Sequence, residues 1–227
     1  MNGSTTNEPG KFWHWPPPKQ LAFAIGLGLA ESAWFGVVYG GAACFSDRHN
    51  YRVALHTAAD LAIPLVPATV LLYLSLNLLM WCAPFILHTR RELTAMTATL
   101  VIATLIGGVG FVCLPGADAF PEPSDADLGR WASVFHFARW LAMRHNYFPS
   151  LHVAFTTICV AIYCDRANTA GKLLLRGWGL AIVTSTLLTH QHYLADVASG
   201  LILGWAAVRW VYRPCLARGT AKISATG

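Results

Sequence analysis

Charged residues are scarce in this chain. Sixteen Lys and Arg and eleven Asp and Glu make up 12% of its 227 residues, against 55% hydrophobic, and the mean hydropathy is +0.47. That balance excludes an ordinary soluble domain. No lysine-rich block or basic stretch interleaved with aromatics occurs, so the net charge of +5 does not point to nucleic acid. C-x-x-C and H-E-x-x-H are both missing, which removes the common thiolate and zincin metal sites. The six cysteines (Cys44, Cys82, Cys113, Cys159, Cys164, Cys215) stand singly in apolar surroundings. They read as small packing residues, with a Cys44–Cys113 disulfide as the alternative. Low-complexity tracts and convincing internal repeats are also lacking.

Long apolar runs are what the chain does have. They predict an all-α integral membrane protein, a six-helix transmembrane bundle with spans near 21–45, 62–85, 93–114, 149–163, 173–188 and 193–211. Residues 1–20, ending in Phe12-Trp-His-Trp-Pro-Pro-Pro18, are expected to be a disordered start leading to an aromatic interfacial anchor. Residues 21–213 form the catalytic membrane domain and 214–227 a cytoplasmic tail. The first run is interrupted by Glu31 and lacks an A-x-A site, so it reads as a retained span. Glu31 itself reads first as a structural carboxyl and second as functional. Pro64 and Pro67 fall in the expected first turns of span two. Between spans three and four, Ser124-Asp-Ala-Asp127 resembles a capping box. Leu128, Trp131, Phe135, Ala138 and Ala142 then recur at helical spacing, predicting a helix in the membrane interface. Six spans put both termini on one side, together with eleven of the sixteen basic residues. That bias predicts cytoplasmic termini and an opposite, periplasmic or exoplasmic, face that carries seven of the nine histidines.

Two polar clusters open apolar runs on that outer face: Asn146-Tyr-Phe-Pro-Ser-Leu-His152 and His190-Gln-His-Tyr-Leu-Ala-Asp196. If helical, His192 and Asp196 share a face, four residues apart. A carboxylate there can hold the proton on one imidazole nitrogen and leave the other as nucleophile. Antiparallel spans return His152 to the same face as His192. Zinc on His190, His192 and Asp196 is disfavoured, because an i, i+2 pair on a helix does not converge. No metal and no cofactor is therefore expected. His56-Thr-Ala-Ala-Asp60 echoes the His192/Asp196 spacing and reads as coincidence.

Pro149-Ser-Leu-His152 and His192-Tyr-Leu-Ala-Asp196 resemble the second and third motifs of the type 2 phosphatidic acid phosphatase superfamily. Phe148-Pro-Ser-Leu-His-Val-Ala154 looks closest to its inositol phosphorylceramide synthase-like branch. The resemblance covers about residues 93–211. It implies that His192 attacks phosphorus and becomes a phosphohistidine, with Asp196 orienting its ring. By the same resemblance, His152 protonates the leaving alkoxide and then serves as base toward water or an alcohol. Ser150, with backbone N–H groups at a helix start, would hold the non-bridging oxygens.

The departures from the family pattern are cationic. Gly107 and Leu114 stand where the first motif has lysine and arginine, and Ser185-Thr186 replaces the Ser-Arg of the third. Arg144, Arg139 and then Arg130 are the expected substitutes, in that order, with Tyr193 and His190 also in the substrate-binding set. The loss weighs most against a dianionic monoester. The expected function is transfer of a phosphate-containing head group from a phospholipid to a lipid or polyol alcohol. Hydrolysis of a lipid phosphate or pyrophosphate is the alternative, and a non-catalytic lipid-binding or transport protein the rival from another class. The partners are thus a lipid phosphoester, an alcohol acceptor or water, and the bilayer.

Overall fold

The computed structural model describes residues 12–217. The expected disordered start, up to Lys11, and the tail beyond Ala217 lie outside the described residues. Residues 12–17 belong to the fold rather than preceding it. Trp13 stacks on Phe85 at 4.9 Å, and the His14 backbone N–H donates to Phe85 O at 2.9 Å.

Ten α-helices occur among the described residues. α1 (Pro18–Ser46) opens with proline in its first turn, where the missing N–H has no intrahelical role. A four-residue α2 (Ala58–Leu61) and a 3₁₀ turn (Pro67–Thr69) lead into α3 (Val70–Trp81), and α4 (Ala83–Ile86) follows. α5 (Arg90–Cys113) starts at a Thr89–Glu92 capping box. The Ser124–Asp127 box starts α6 (Asp125–Leu128), and α7 (Ala132–Ala142) comes next. α8 (Leu151–Cys164), α9 (Thr169–Leu188) and α10 (Leu194–Ala207) complete the set. α10 passes through a π-helical stretch, Val208–Tyr212, and stays helical to Ala217.

Among the described residues, three helices are long and apolar enough to cross a membrane: Pro18–Ser46, Arg90–Cys113 and Leu194–Ala217. Pro67–Trp81 and Leu151–Cys164 are apolar but shorter, at about 22 and 21 Å against a hydrocarbon core of about 30 Å. The expected second span is therefore corrected at both ends. A residue before proline is pushed out of the helical region, so Ile63 and Val66 precede helix formation; Pro84, which has no N–H for an i→i−4 bond, sits in the first turn of α4, where α3 has already ended. α9 begins four residues earlier than expected, because the Asn168 side chain caps it by accepting from Gly171 N at 2.8 Å. All six cysteines are free thiols.

Many outward-facing side chains are large and apolar, including Val37, Trp81, Leu174 and Ile202, as lipid contact requires and water would not favour. These helices make it a membrane protein. Polar groups tie the helices together inside. Trp34 Nε1 of α1 donates to Val101 O of α5 at 3.1 Å. The fully buried Tyr163 of α8 donates to Leu79 O of α3 at 3.0 Å, and Trp178 of α9 to Ser75 Oγ of α3 at 2.9 Å. α7 lays Phe135 and Ala138 against Val70 and Tyr73 at the start of α3.

Candidate active site

The local structure around α10 begins with its N-cap, Tyr193, whose backbone is extended. Asp196 is the third helical residue and is fully buried. Its Oδ2 reaches back to accept from Tyr193 N at 2.9 Å and from His192 Nδ1 at 3.0 Å. His192 is thus outside the helix, one residue before the cap, rather than on a shared helical face. The pair forms because an acidic residue at this position closes a capping turn. With Nδ1 donating, Nε2 carries the lone pair. The His192 backbone is fixed as well, since Gln191 N and His192 N both donate to Thr186 O, at 3.0 and 3.1 Å.

The second cluster docks directly on the first. Ser150 N donates to Asp196 O at 3.1 Å, and Ser150 Oγ caps α8 by accepting from Val153 N at 3.2 Å. Helices α8 and α10 approach this closely because Gly200 and Gly204 lack side chains. A Cβ on Gly200 would lie 2.5 Å from Ser150 O, and one on Gly204 would lie 2.7 Å from Ala154 O. Gly200-Leu-Ile-Leu-Gly204 is the small-xxx-small pattern of membrane helix pairs, a signal legible in the sequence. His152, on the first turn of α8, stacks against Tyr73 at 4.0 Å. Its Nε2 is buried without a partner.

Asp60, whose spacing from His56 reads in the sequence as coincidence, bonds directly to the start of α10. It is fully buried, and one carboxylate oxygen accepts from Leu194 N, the first helical residue of α10, at 2.7 Å. The other accepts from Thr57 N and Oγ1, each at 2.7 Å. Burial works to raise this carboxyl, but the bonds from Thr57 and Leu194 outweigh it and hold the group below its ordinary range. The echo between His56/Asp60 and His192/Asp196 therefore has a local basis: both aspartates are third-position residues that reach back to a cap. The segments also touch, with the rings of His56 and Tyr193 5.7 Å apart.

His192 lines two cavities, and a third adjoins the second of them at Glu31. A polar mouth of about 290 Å³ is lined by His192, His190, Arg139 and Arg144. A second, of about 240 Å³, is lined by His152, His192, Tyr73 and Glu31. The two share Tyr39, Ala142, Asn146 and His192 as walls. A third, of about 440 Å³, continues from Glu31 between α1, α3, α4 and α5.

His152, His192 and Asp196 are thus brought together. Arg139 and Arg144 reach the mouth and share Glu122, at 3.8 and 2.9 Å. The Arg139 side chain is 28% exposed and that of Arg144 70%. Arg130 instead lies over Trp131. His190 stacks on Phe120 and bonds Ile63 O at 2.9 Å. Burial lowers its pKa, and Arg139 adds to that against the pull of the Ile63 carbonyl. Tyr193 is buried, its hydroxyl accepting from Ala119 N and donating to Ala117 O. Ser150 and Tyr193 line none of the three cavities. Among the described residues no group of three His, Cys, Asp or Glu is arranged to hold a metal ion.

A family model described as the PAP2 superfamily matches residues 48–210. No curated protein and no solved structure matches the chain.

Proposed function

The chain belongs to the PAP2 superfamily, and on that premise we propose that it is a six-span membrane enzyme that moves a phosphate-bearing head group from a phospholipid to an alcohol acceptor. The observation that carries this is that His192, held by Asp196, shares a cavity with an unpartnered His152 Nε2. Phosphoester chemistry of the phosphatase or phosphotransferase kind is what membership implies. The choice of transferase, the synthase-like branch and the residue roles are proposals.

In the first step His192 Nε2 attacks phosphorus. The bond from phosphorus to the lipid alkoxide breaks, and His152 passes its proton to the departing oxygen. The head group is left on phosphorus as a phosphohistidine. In the second step His152 takes the proton of the acceptor hydroxyl, whose oxygen attacks phosphorus and releases His192. One imidazole cannot be nucleophile and acid at once, so the two histidines divide the work. Arg139 and Arg144 supply the counter-charge for the non-bridging oxygens, and the capped end of α8 adds its N-terminal dipole. No step calls for a metal ion.

The site is proposed to face the periplasm or its equivalent, with both termini cytoplasmic, following the basic-residue bias. α8 is only 14 residues, so a site at its start sits below the membrane surface, where a lipid's phosphate and chain both reach it. Hydrolysis is the second version, and the polar mouth favours it: His192 lines that mouth, so water has a route to the intermediate. Labelled phospholipids incubated with purified protein, with and without acceptor alcohols, separate the cases. A new phospholipid indicates transfer and inorganic phosphate or a free phosphorylated head group indicates hydrolysis. No turnover of any lipid phosphoester, with or without divalent ions, would return the chain to the binding-protein class.

A further inference from the structure

Glu31 takes no part in the chemistry above. It is 6% exposed, in the middle of α1, and its Oε1 has no hydrogen-bond partner. It faces the two inner cavities, the one that contains His152 and His192 and the larger one that continues inward. Asn77 of α3 lines both as well. One Asn77 N–H goes to Leu74 O at 3.1 Å, so its carbonyl and second N–H remain for another partner. The remaining walls are mainly apolar, with Met80 common to both cavities.

The two cavities are set along α1 from Leu21 to Tyr39. That is about 27 Å of helix, close to the thickness of a bilayer's hydrocarbon core. Glu31 lies roughly two turns, about 12 Å, below Tyr39 along the helix, and Tyr39 is a wall of the catalytic cavity and the polar mouth. Ester carbonyls beside a phosphate are too near it to reach that depth. A group that satisfies the carboxyl must sit farther along the chain.

We propose that the groove between α1 and α3 seats the hydrocarbon chain of the lipid substrate and that Glu31, with Asn77, binds a hydroxyl group carried partway along that chain. A hydroxyl both donates and accepts, so it serves a carboxyl oxygen and an amide together. A purely hydrocarbon chain would leave Oε1 buried and unpaired, which is costly in an apolar setting. The inference rests on the lipid-phosphoester reading and narrows it to lipids with a mid-chain hydroxyl.

The test uses full-length protein in detergent and two phosphate-free long-chain alcohols, identical except for a mid-chain hydroxyl, with binding read by native mass spectrometry. The hydroxylated chain is expected to bind about tenfold more tightly, the scale of one well-placed hydrogen bond to a buried group. Glu31→Leu should erase the difference and Glu31→Gln should keep part of it. Equal binding by the natural protein overturns the proposal, and that measurement needs no folded variant. The matching phospholipids are then assayed for turnover. Discrimination in binding without turnover of either lipid keeps the chain site and removes the transferase function. Turnover of both at equal kcat/KM keeps the function and removes the chain site.

Discussion

His192 and Asp196 were legible in the sequence as a pair, but the reason for their pairing was not. Spacing of four suggests a common helical face, whereas His192 precedes α10 and the carboxylate reaches back to it as part of a capping turn. The proposed chemistry does not depend on which of these geometries makes the pair. His192→Ala should give no acid-labile phosphoenzyme on labelled substrate. His152→Ala should slow its formation by about 10²–10⁴-fold, the usual loss of a general acid. Undiminished turnover in either variant would remove the assigned roles. Asp60 shows in the sequence only as an echo of the His192/Asp196 spacing, because an aspartate in a connection carries no signal of its distant partner, Leu194 N. Asp60→Ala is expected to destabilise the fold by about 1–3 kcal/mol, since it strands buried donors. The folded carboxyl titrates below its unfolded value. Its contribution is therefore complete above about pH 4 and is lost as pH falls through the folded pKa. Thermal unfolding of the natural protein and the variant should converge below that window, and a gap that persists there would refute the linkage. For the arginines, burial argues for an order different from the one that sequence position suggests. Arg139, less exposed than Arg144, is expected to matter more, so Arg139→Gln should lower turnover of a short-chain soluble phosphodiester further than Arg144→Gln. The reverse order would favour proximity in sequence over position at the mouth.

Among the elements, the start of α6 follows its sequence signal, a Ser box with an acidic third residue, whereas α5 begins three residues before the expected span, at the Thr89–Glu92 box. The second span does not follow its signal, since hydropathy sums over Ile63–Pro67 without registering that prolines exclude their neighbours from a helix. The α8–α10 joint is where fold and chemistry meet. Motif spacing predicted that the two histidines share a membrane face, but not that Ser150 N bonds Asp196 O or that Gly200 permits it. Gly200→Ala places a methyl group 2.5 Å from Ser150 O, and backbone cannot swing aside as a side chain can. Forced separation of the helices should cost about 1–3 kcal/mol and reduce kcat through displacement of His152 from His192. Activity and thermal stability equal to those of the natural protein would show that the joint yields freely.

On the scale of the whole molecule, composition alone announced a helical membrane protein, whereas the crossing number rests on α3, α8 and α9, which length and hydropathy leave outside the set of clear spans. The basic-residue bias still makes a definite claim: a reporter joined after Arg218 should stay cytoplasmic, and its export would invert the proposed orientation. The region matched by the family model starts at residue 48, just past α1. The proposed phosphoryl chemistry lies on α8 and α10, inside that region, while Glu31 and Tyr39, on the α1 side of the proposed lipid groove, lie outside it. Inheritance can act on these two parts separately. If α1 seats the lipid and the α8–α10 joint holds the chemistry, as proposed, substitutions along α1 change which lipid is admitted without touching that joint, so we expect lineages of such proteins to diverge in diet before they diverge in chemistry. Exchange of α1 between two of them should carry lipid preference with it and leave the phosphohistidine step behind.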